Sequence, residues 1–533
     1  EGIIMKSQNE YVSPFVISLF QRTVCVFAVL FLLVSVEYAR GAATNQCIIV
    51  LEDNASVDSV LGFCHARLVR QMNDGTTLLI EATDGASGDQ LTARCSSAPG
   101  VESAEQNSAI TLPRGLTTQV GRLDQSTVSL LNQSTVSLLN QSTVSLLNDA
   151  TVTNYYGANV KSSYANQPAL ALIGNDQAHT ISTGTGIVVA DINSGVDPEN
   201  PILKIVLMPG YNFIDDNQDV SEWTGLDQST VSLLNQNQAI GLDQSTVSLL
   251  NQSTVSLLNQ STVSLLNQST VSLLNQSTVA LLNQSTVALL NQSTVSLLNQ
   301  STVSLLNQST VSLLNQLPPD FGHGTMVAGL IHVVAPNARI QPLKAFGSDG
   351  AGSLSDVVSA INYATDQGAN VINMSFSFPE GSKVLKRAIH HALSHQVILV
   401  ASVGNDGEEV MKDVFPAAYN GVYGIASTDN QDIIAAFSNY GKDVSFSAPG
   451  VNLVTLYPGG HYALASGTSF SSALVAGVAA LSASVGGSVP GQVKWPLALT
   501  AVPIDSLNPG FEKKLGGGRV DEAQSVQRAA KER

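Results

Sequence analysis

Residues 465–481 read Ala-Ser-Gly-Thr-Ser-Phe-Ser-Ser-Ala-Leu-Val-Ala-Gly-Val-Ala-Ala-Leu. A Gly-Thr-Ser turn here leads directly into an apolar helix of small residues. The hydroxyl of Ser469 is therefore expected at a helix N-terminus, where free N–H groups and the helix dipole favour negative charge. Such a hydroxyl can act as a nucleophile, with its own N–H group beside the oxyanion that it creates. The alternative is a serine that only caps the helix, which is a common use of this residue.

The overall composition excludes several classes of partner. The chain has 533 residues and a formal charge of −17, which argues against nucleic-acid and anionic-membrane partners. All four cysteines lie before residue 96 and none forms a Cys-x-x-Cys pair, so no zinc site is predicted. We also predict no cofactor. Asp215, Asn217 and Asp219 alternate as in a calcium loop, but the usual Gly and closing Glu are missing. We expect a solvated loop there, with calcium binding as the alternative.

The N-terminal segment has the composition of a secretory signal. An apolar run at residues 23–36 is followed by Gly41, Ala42 and Ala43, which suit signal cleavage. The run is shorter than the roughly 20 residues that a transmembrane helix needs. We therefore predict a signal peptide over residues 1–43 and a secreted protein; a retained anchor is the alternative.

Residues 44–113 alternate between strand and helix patterns. Strands are predicted at 46–51, 76–82 and 101–112, and helices at 55–63 and 87–97. This order describes a compact α+β unit with an antiparallel sheet. Its three cysteines allow one disulfide at most.

An octapeptide, Asn-Gln-Ser-Thr-Val-Ser-Leu-Leu, interrupts the chain twice, over residues 124–148 and 227–316. Eight residues overshoot two helical turns by about 80°, so a helix would carry no continuous apolar seam. The period suits a short Val-Ser-Leu-Leu strand followed by a turn, stacked copy upon copy. Two roles remain open: a function-neutral insertion or scaffold, and a binding or assembly surface.

From residue 187 onward, apolar strands alternate with longer helical patterns. Strands are predicted at 187–192, 340–346, 371–375, 397–402 and 422–427, and helices at 353–367, 383–394 and 471–484. This alternation predicts an α/β fold, a parallel sheet with helices on both faces. The functional residues of such sheets lie at the carboxyl ends of the strands.

Two further polar residues stand in positions that suit catalysis. His323 lies between Gly322 and Gly324 at the start of an apolar helix, where it is poorly placed for core packing. Asn405 follows a buried strand in a tight turn, where it is either a plain turn residue or a donor to a tetrahedral oxyanion.

These motifs resemble those of the subtilisin-like serine proteases, the subtilase family. The resemblance rests on His-Gly-Thr-x-Val-Ala-Gly, on Gly-Thr-Ser-x-x-x-x-x-Val-Ala-Gly, and on four shorter motifs that lie at 371–375, 437–441, 448–450 and 518–521. It implies a subtilisin-like peptidase domain over 154–533, preceded by a ferredoxin-like inhibitory propeptide at 44–113. It also implies His323 as general base, Ser469 as nucleophile and Asn405 as oxyanion donor. The edge that pairs with a peptide substrate would be Ser375, Phe376 and Ser377.

One departure from the family pattern concerns the catalytic triad. Asn193 stands where the family has the Asp that accepts a hydrogen bond from the histidine. An amide cannot supply the charge, and such a loss lowers turnover by about 10⁴ in serine proteases. Asp191 is the candidate substitute on the same strand face, but it lies about 6.6 Å further back. It would reach His323 only through a local slip or bulge.

The sequence therefore predicts a secreted serine endopeptidase that cleaves proteins or peptides through Ser469, with its own propeptide as intramolecular inhibitor. The alternative is a pseudoprotease, which binds peptides or assembles through its repeats with little or no turnover. A third interpretation is a structural protein organised by the repeats.

Overall fold

The computed structural model describes residues 45–72, 75–112, 135–138, 144–147, 152–223, 320–410, 413–486 and 496–531. The predicted signal peptide, 1–43, and the longer repeat insertion, 227–316, lie outside the described residues.

Residues 45–112 form a four-stranded antiparallel sheet with two helices, followed by a short fifth strand. The elements are β1 (Gln46–Leu51), α1 (Val57–Cys64), β2 (Ala66–Gln71), β3 (Thr77–Ala82), α2 (Gly88–Cys95), β4 (Val101–Gln106) and β5 (Ala109–Thr111). The strand order is β2-β3-β1-β4. The strand β2 was not predicted, because half of its residues are polar, it has no clear alternation, and most of it is exposed. Cys64 and Cys95 form a disulfide between the two helices, and Cys47 is a buried free thiol.

Two octapeptide copies contribute strands, β6 (Thr135–Leu138) and β7 (Val144–Leu147). They pair antiparallel, and Ser137 lies opposite Ser145, the same position of the repeat. The second of these strands also pairs with the strand His461–Ala465. These two copies therefore extend a hairpin of the larger domain.

The larger domain alternates strands and helices, as predicted. Its elements are β8 (Val152–Tyr155), β9 (Ala158–Lys161), α3 (Ser162–Ala165), α4 (Pro168–Ile173), α5 (Asn175–His179), β10 (Val188–Asn193), β11 (Tyr211–Asn212), α6 (His323–Val334), β12 (Arg339–Lys344), β13 (Ala351–Ser353), α7 (Leu354–Asp366), β14 (Val371–Met374), α8 (Lys383–Ser394), β15 (Ile398–Ser402), β16 (Glu409–Val410), β17 (Val422–Thr428), β18 (Tyr440–Gly441), β19 (Phe446–Pro449), β20 (Leu453–Tyr457), β21 (His461–Ala465), α9 (Thr468–Gly486) and α10 (Glu522–Lys531).

Seven of these strands form one parallel sheet in the order β11-β12-β10-β14-β15-β17-β19. Val189 packs with α6 and α9 on one face, and Ala190 packs with α7 and α8 on the other. Because both faces are covered, the central strands are almost wholly apolar. The predicted parallel sheet with helices on both faces is confirmed.

The long helix α9 runs through this core. It is apolar and long enough to cross a membrane, but most of it is buried inside the fold. Its first residue is Thr468, three residues before the predicted start, so Ser469 lies in its first turn. Close packing against α6 depends on Gly477, where a Cβ atom would lie 2.6 Å from the Cβ of Val334.

We expect Gly477→Ala to destabilise the fold by about 1–3 kcal/mol through overpacking, although alanine favours a helix by about 1 kcal/mol. The shift in thermal unfolding measures this effect. The control is Gly62→Ala in α1, where nothing lies within 4 Å of the added Cβ and stability should hold or rise. An unchanged or higher melting temperature for Gly477→Ala would contradict the packing described here.

Candidate active site

The polar end of β10 meets the first residue of α6. The Oδ1 atom of Asn193 lies 2.7 Å from Nδ1 of His323, and both side chains are buried. The same oxygen accepts a hydrogen bond from the backbone N–H of Ser194 at 2.9 Å. The structure therefore joins Asn193, the residue predicted at the triad Asp position, to the candidate base through an oxygen acceptor.

Asp191 does not replace Asn193 as the partner of His323. The pairing of β10 with β12 and with β14 continues without a register shift, so the bulge that Asp191 would need is absent from this strand. Its carboxylate instead accepts from Nδ2 of Asn373 at 2.9 Å and, more weakly, from Nδ2 of Asn193 at 3.4 Å. Burial raises the pKa of Asp191 to about 7, against the lowering effect of these two amides.

His323 is held tightly at the start of α6. Gly322 caps the helix in the left-handed region, at φ 87°. Gly324 allows the carbonyl of Gly195 to approach, because a side chain there would collide with that oxygen. The imidazole packs against Phe470, with ring centroids 5.5 Å apart. Burial lowers the pKa of His323 to about 4, so the imidazole is neutral at neutral pH.

Sequence analysis missed Glu222, which joins the two elements of this pair. Its buried carboxylate accepts from the N–H groups of Gly324 and Thr325, at 3.0 and 3.3 Å, in the first turn of α6. It also accepts from the hydroxyls of Ser194, at 2.8 Å, and Thr325. A carboxylate at a helix N-terminus is favourable, and this one links α6 to the residue after Asn193. No local pattern identifies Glu222, since its donors lie far away in the chain.

Ser469 lies in the first turn of α9 and is buried. Its hydroxyl donates to the carbonyl oxygen of Ser375 at 3.1 Å, and the Ser375 hydroxyl donates to the carbonyl oxygen of Ser469 at 3.0 Å. A hydroxyl has one hydrogen to donate. Ser469 must therefore turn from Ser375 toward His323 before that histidine can take its proton.

Asn405 follows β15 and faces the start of α9. Its Oδ1 atom accepts from the N–H and the hydroxyl of Thr468, both at 2.8 Å. These two bonds fix the orientation of the amide and leave its Nδ2 atom as a donor beside the turn that carries Ser469. An oxyanion that formed on Ser469 would need a donor of this kind nearby.

The predicted substrate edge follows β14, but its residues differ in what they can offer. The carbonyl of Ser375 is occupied by Ser469, and Phe376 is buried in the core, 5.1 Å from the ring of Phe346. Ser377 lies beside the Asn405 turn, since its hydroxyl is 3.1 Å from the position of a Cβ on Gly404.

A second edge, β13, was missed because Ala-Gly-Ser is too short and too small to read as a strand. It pairs antiparallel with β5, and Gly352 lies opposite Ile110. The N–H of Leu112 continues this pairing with the carbonyl of Gly350 at 2.8 Å. An extended segment of the N-terminal unit therefore occupies this edge.

The alternating acidic loop is held by its own hydrogen bonds. Oδ1 of Asn217 accepts from the N–H of Asp219 at 2.7 Å, and Oδ2 of Asp215 accepts from Asn212 at 3.1 Å. Among the described residues, no group of three His, Cys, Asp or Glu side chains is placed to hold a metal ion.

Comparisons with known proteins match one family over most of the larger domain. The model of the subtilase family matches residues 184–524. A thermophilic serine proteinase of Bacillus sp. (strain AK1) is 41% identical over 174 residues, which cover 31% of this chain and 43% of that protein. Subtilisin DY of Bacillus licheniformis is 38% identical over 171 residues, covering 30% of this chain and 62% of the relative.

One further relative and one solved structure are also similar to this chain. Subtilisin BL of Lederbergia lenta is 36% identical over 197 residues, covering 35% of this chain and 72% of the relative. The crystal structure of fervidolysin from Fervidobacterium pennivorans, a keratinolytic enzyme related to subtilisin, superposes with a TM-score of 0.58 at 19% identity. This superposition covers 92% of this chain and 62% of that one. The matched stretch thus spans about half the length of the first two relatives.

We expect the His323 imidazole to titrate near pH 4, far below its ordinary value of about 6.5. Asn193→Asp should raise this pKa, because an adjacent carboxylate favours the imidazolium. NMR titration of the imidazole signals, assigned with a His323→Gln variant, measures both values. A wild-type pKa at or above 6.5, or no rise in Asn193→Asp, would contradict the described environment.

Proposed function

Because the chain belongs to the subtilase family, we propose that it is a secreted serine endopeptidase that hydrolyses proteins or peptides through an acyl-enzyme on Ser469. The observation that carries this proposal is the 2.7 Å contact between Asn193 Oδ1 and His323 Nδ1. It places an acceptor on Nδ1, so the proton resides there and Nε2 is left as the base.

The first half of the reaction follows from the roles of three residues. His323 takes the proton of Ser469 as the serine oxygen attacks the peptide carbonyl. The resulting oxyanion accepts hydrogen bonds from Nδ2 of Asn405 and from the N–H of Ser469, the first of which is worth roughly 10²–10³ in rate. His323 then gives its proton to the departing amine, which leaves an ester on Ser469.

The second half repeats this sequence with water. His323 removes a proton from water, which attacks the ester, and the serine recovers its proton as the acid product leaves. No metal or cofactor takes part in either step of the proposed reaction.

We propose that turnover is attenuated. Asn193 accepts from the imidazole but offers it no negative charge, so the imidazolium formed during attack is poorly stabilised. Burial of His323 acts in the same direction, since it disfavours the charged imidazole. The same two features favour the alternative function, a pseudoprotease that binds peptides in the groove without cleaving them.

Labelling with a fluorophosphonate probe tests the nucleophile. We expect slow labelling of the wild type, none of Ser469→Ala, and an increase of up to about 10⁴ in rate for Asn193→Asp. Intact-protein mass spectrometry measures the adduct. If the wild type is not labelled and Asn193→Asp is, the chain is a pseudoprotease. If neither protein is labelled, Ser469 is not the nucleophile.

We further propose that residues 44–113 act as an inhibitory propeptide, so the chain is made as a zymogen. The carboxylate of Glu105 accepts from the N–H groups of Lys383 and Val384, at 2.6 and 3.1 Å, at the start of α8. Arg70 donates to Asp356 of α7 at 3.0 Å. These contacts, together with the β5–β13 pairing, support a unit that docks on α7 and α8 and occupies the β13 edge.

Glu105→Ala should weaken this docking roughly fivefold to thirtyfold, because a helix N-terminus loses its carboxylate. Cleavage of an unfolded protein substrate should rise accordingly, at an unchanged rate of labelling by the small probe. Glu102→Ala is the matched control, since its ion pair with Arg387 is exposed and such pairs contribute little. Equal cleavage by the two variants would contradict the role of Glu105.

Secretion is proposed on two features of the chain. The apolar run at 23–36 has the length of the apolar region of a signal peptide. The Cys64–Cys95 disulfide suits an oxidising compartment.

A further inference from the structure

A buried carboxylate lies behind the Asn193–His323 pair. Asp191 is 2% exposed, and the donors to its Oδ1 atom are the amides of Asn373 and Asn193. We propose that Asp191 is a positioning residue that holds the Asn193 amide with its oxygen toward His323. This inference rests on the proposed function. It explains how a chain with an amide at this position can keep the Nε2 atom of His323 free to accept a proton.

The amide of Asn193 has two possible orientations. In the observed one, Oδ1 faces His323 and the N–H of Ser194, while Nδ2 faces Asp191. In the opposite one, Nδ2 would donate toward His323. The Nδ1 atom could accept that hydrogen bond only if it carried no proton. The imidazole proton would move to Nε2, and the base would be lost.

Above pH 7, where Asp191 is charged, its carboxylate separates these orientations. The opposite orientation would bring Oδ1 of Asn193 against the Asp191 carboxylate, and two acceptors in a buried site repel each other. In the observed orientation the carboxylate accepts from Nδ2 and polarises the amide toward His323. Asp191 therefore acts on His323 through Asn193, without touching it.

Asn373 holds Asp191 in place for this role. It lies directly opposite Asp191 in the β10–β14 pairing, and its Nδ2 atom also lies 2.8 Å from the hydroxyl of Ser375. Ser375 in turn contacts Ser469. A buried polar row thus runs from behind the candidate base to the candidate nucleophile.

Fold stability alone does not account for Asp191. A buried carboxylate without a cationic partner is costly, and the raised pKa of Asp191, at about 7, reflects that cost. Replacing it with a neutral residue of the same shape should stabilise the protein near neutral pH. A residue needed only for the fold would give the opposite result.

Two substitutions, Asp191→Asn and Asp191→Leu, test the proposal, each in the wild type and in the Asn193→Asp background. In the wild type, Asp191→Leu should slow fluorophosphonate labelling roughly tenfold to hundredfold, with a smaller effect for Asp191→Asn, which keeps an acceptor. In the Asn193→Asp background, Asp191→Asn should speed labelling, because two neighbouring carboxylates no longer repel. Thermal unfolding of Asp191→Asn, expected at or above the wild-type temperature, confirms that the variant folds.

Nitrogen-15 NMR of the His323 imidazole gives a readout independent of activity. We expect the Nδ1–H tautomer in the wild type and a larger Nε2–H share in Asp191→Leu. Unchanged tautomers and wild-type labelling rates in both variants would overturn the proposal. A wild type that does not label would instead defeat the proposed function, and the tautomer measurement would still decide the role of Asp191.

Discussion

The hydrogen bond between Asn193 and His323 is the interaction on which the candidate site depends. It joins the carboxyl end of a central strand to the first residue of a buried helix. Two further devices keep these ends together: Glu222, which binds both, and Gly324, which lets the backbones touch. Because a parallel sheet brings strand ends to one edge, Asn405, which follows β15, lies at the same edge as Asn193. Its bonds to Thr468 hold the first turn of α9, which carries Ser469, at that edge.

Two features govern the protonation of His323: the imidazole is buried, and the side chain that it contacts carries no charge. A neutral amide faces a histidine whose pKa burial has lowered to about 4. Such a pair keeps the geometry of a proton-transfer site while reducing the strength of the base. Asp191 and Glu222 are nearby acids, but each is bound to amides, hydroxyls or backbone N–H groups. We therefore propose a site that keeps the arrangement of a proton-transfer pair but has a weaker base.

Much of this was predictable from sequence, for identifiable reasons. The apolar strands that carry Asn193 and Asn405, and the helices of His323 and Ser469, have strong local patterns. The strands β2 and β13 were missed because the first has no clear alternation of polar and apolar residues and the second is three small residues long. Glu222 and the partners of Asp191 were not predictable, since hydrogen bonds between distant residues leave no local pattern. The bulge that Asp191 would need to reach His323 does not form, and Asn373, on the neighbouring strand, supplies its polar partner.

Neutron diffraction of the deuterium-exchanged protein at neutral pH would test the central claim most directly, since it locates the hydrogens on both side chains. The account predicts deuterium on Nδ1 of His323, directed at Oδ1 of Asn193, and an Asn193 Nδ2 group directed at Asp191. Deuterium on Nε2 of His323 with the Asn193 nitrogen facing Nδ1 would contradict it. That result would mean that the amide holds the histidine in the form that cannot accept the proton of Ser469.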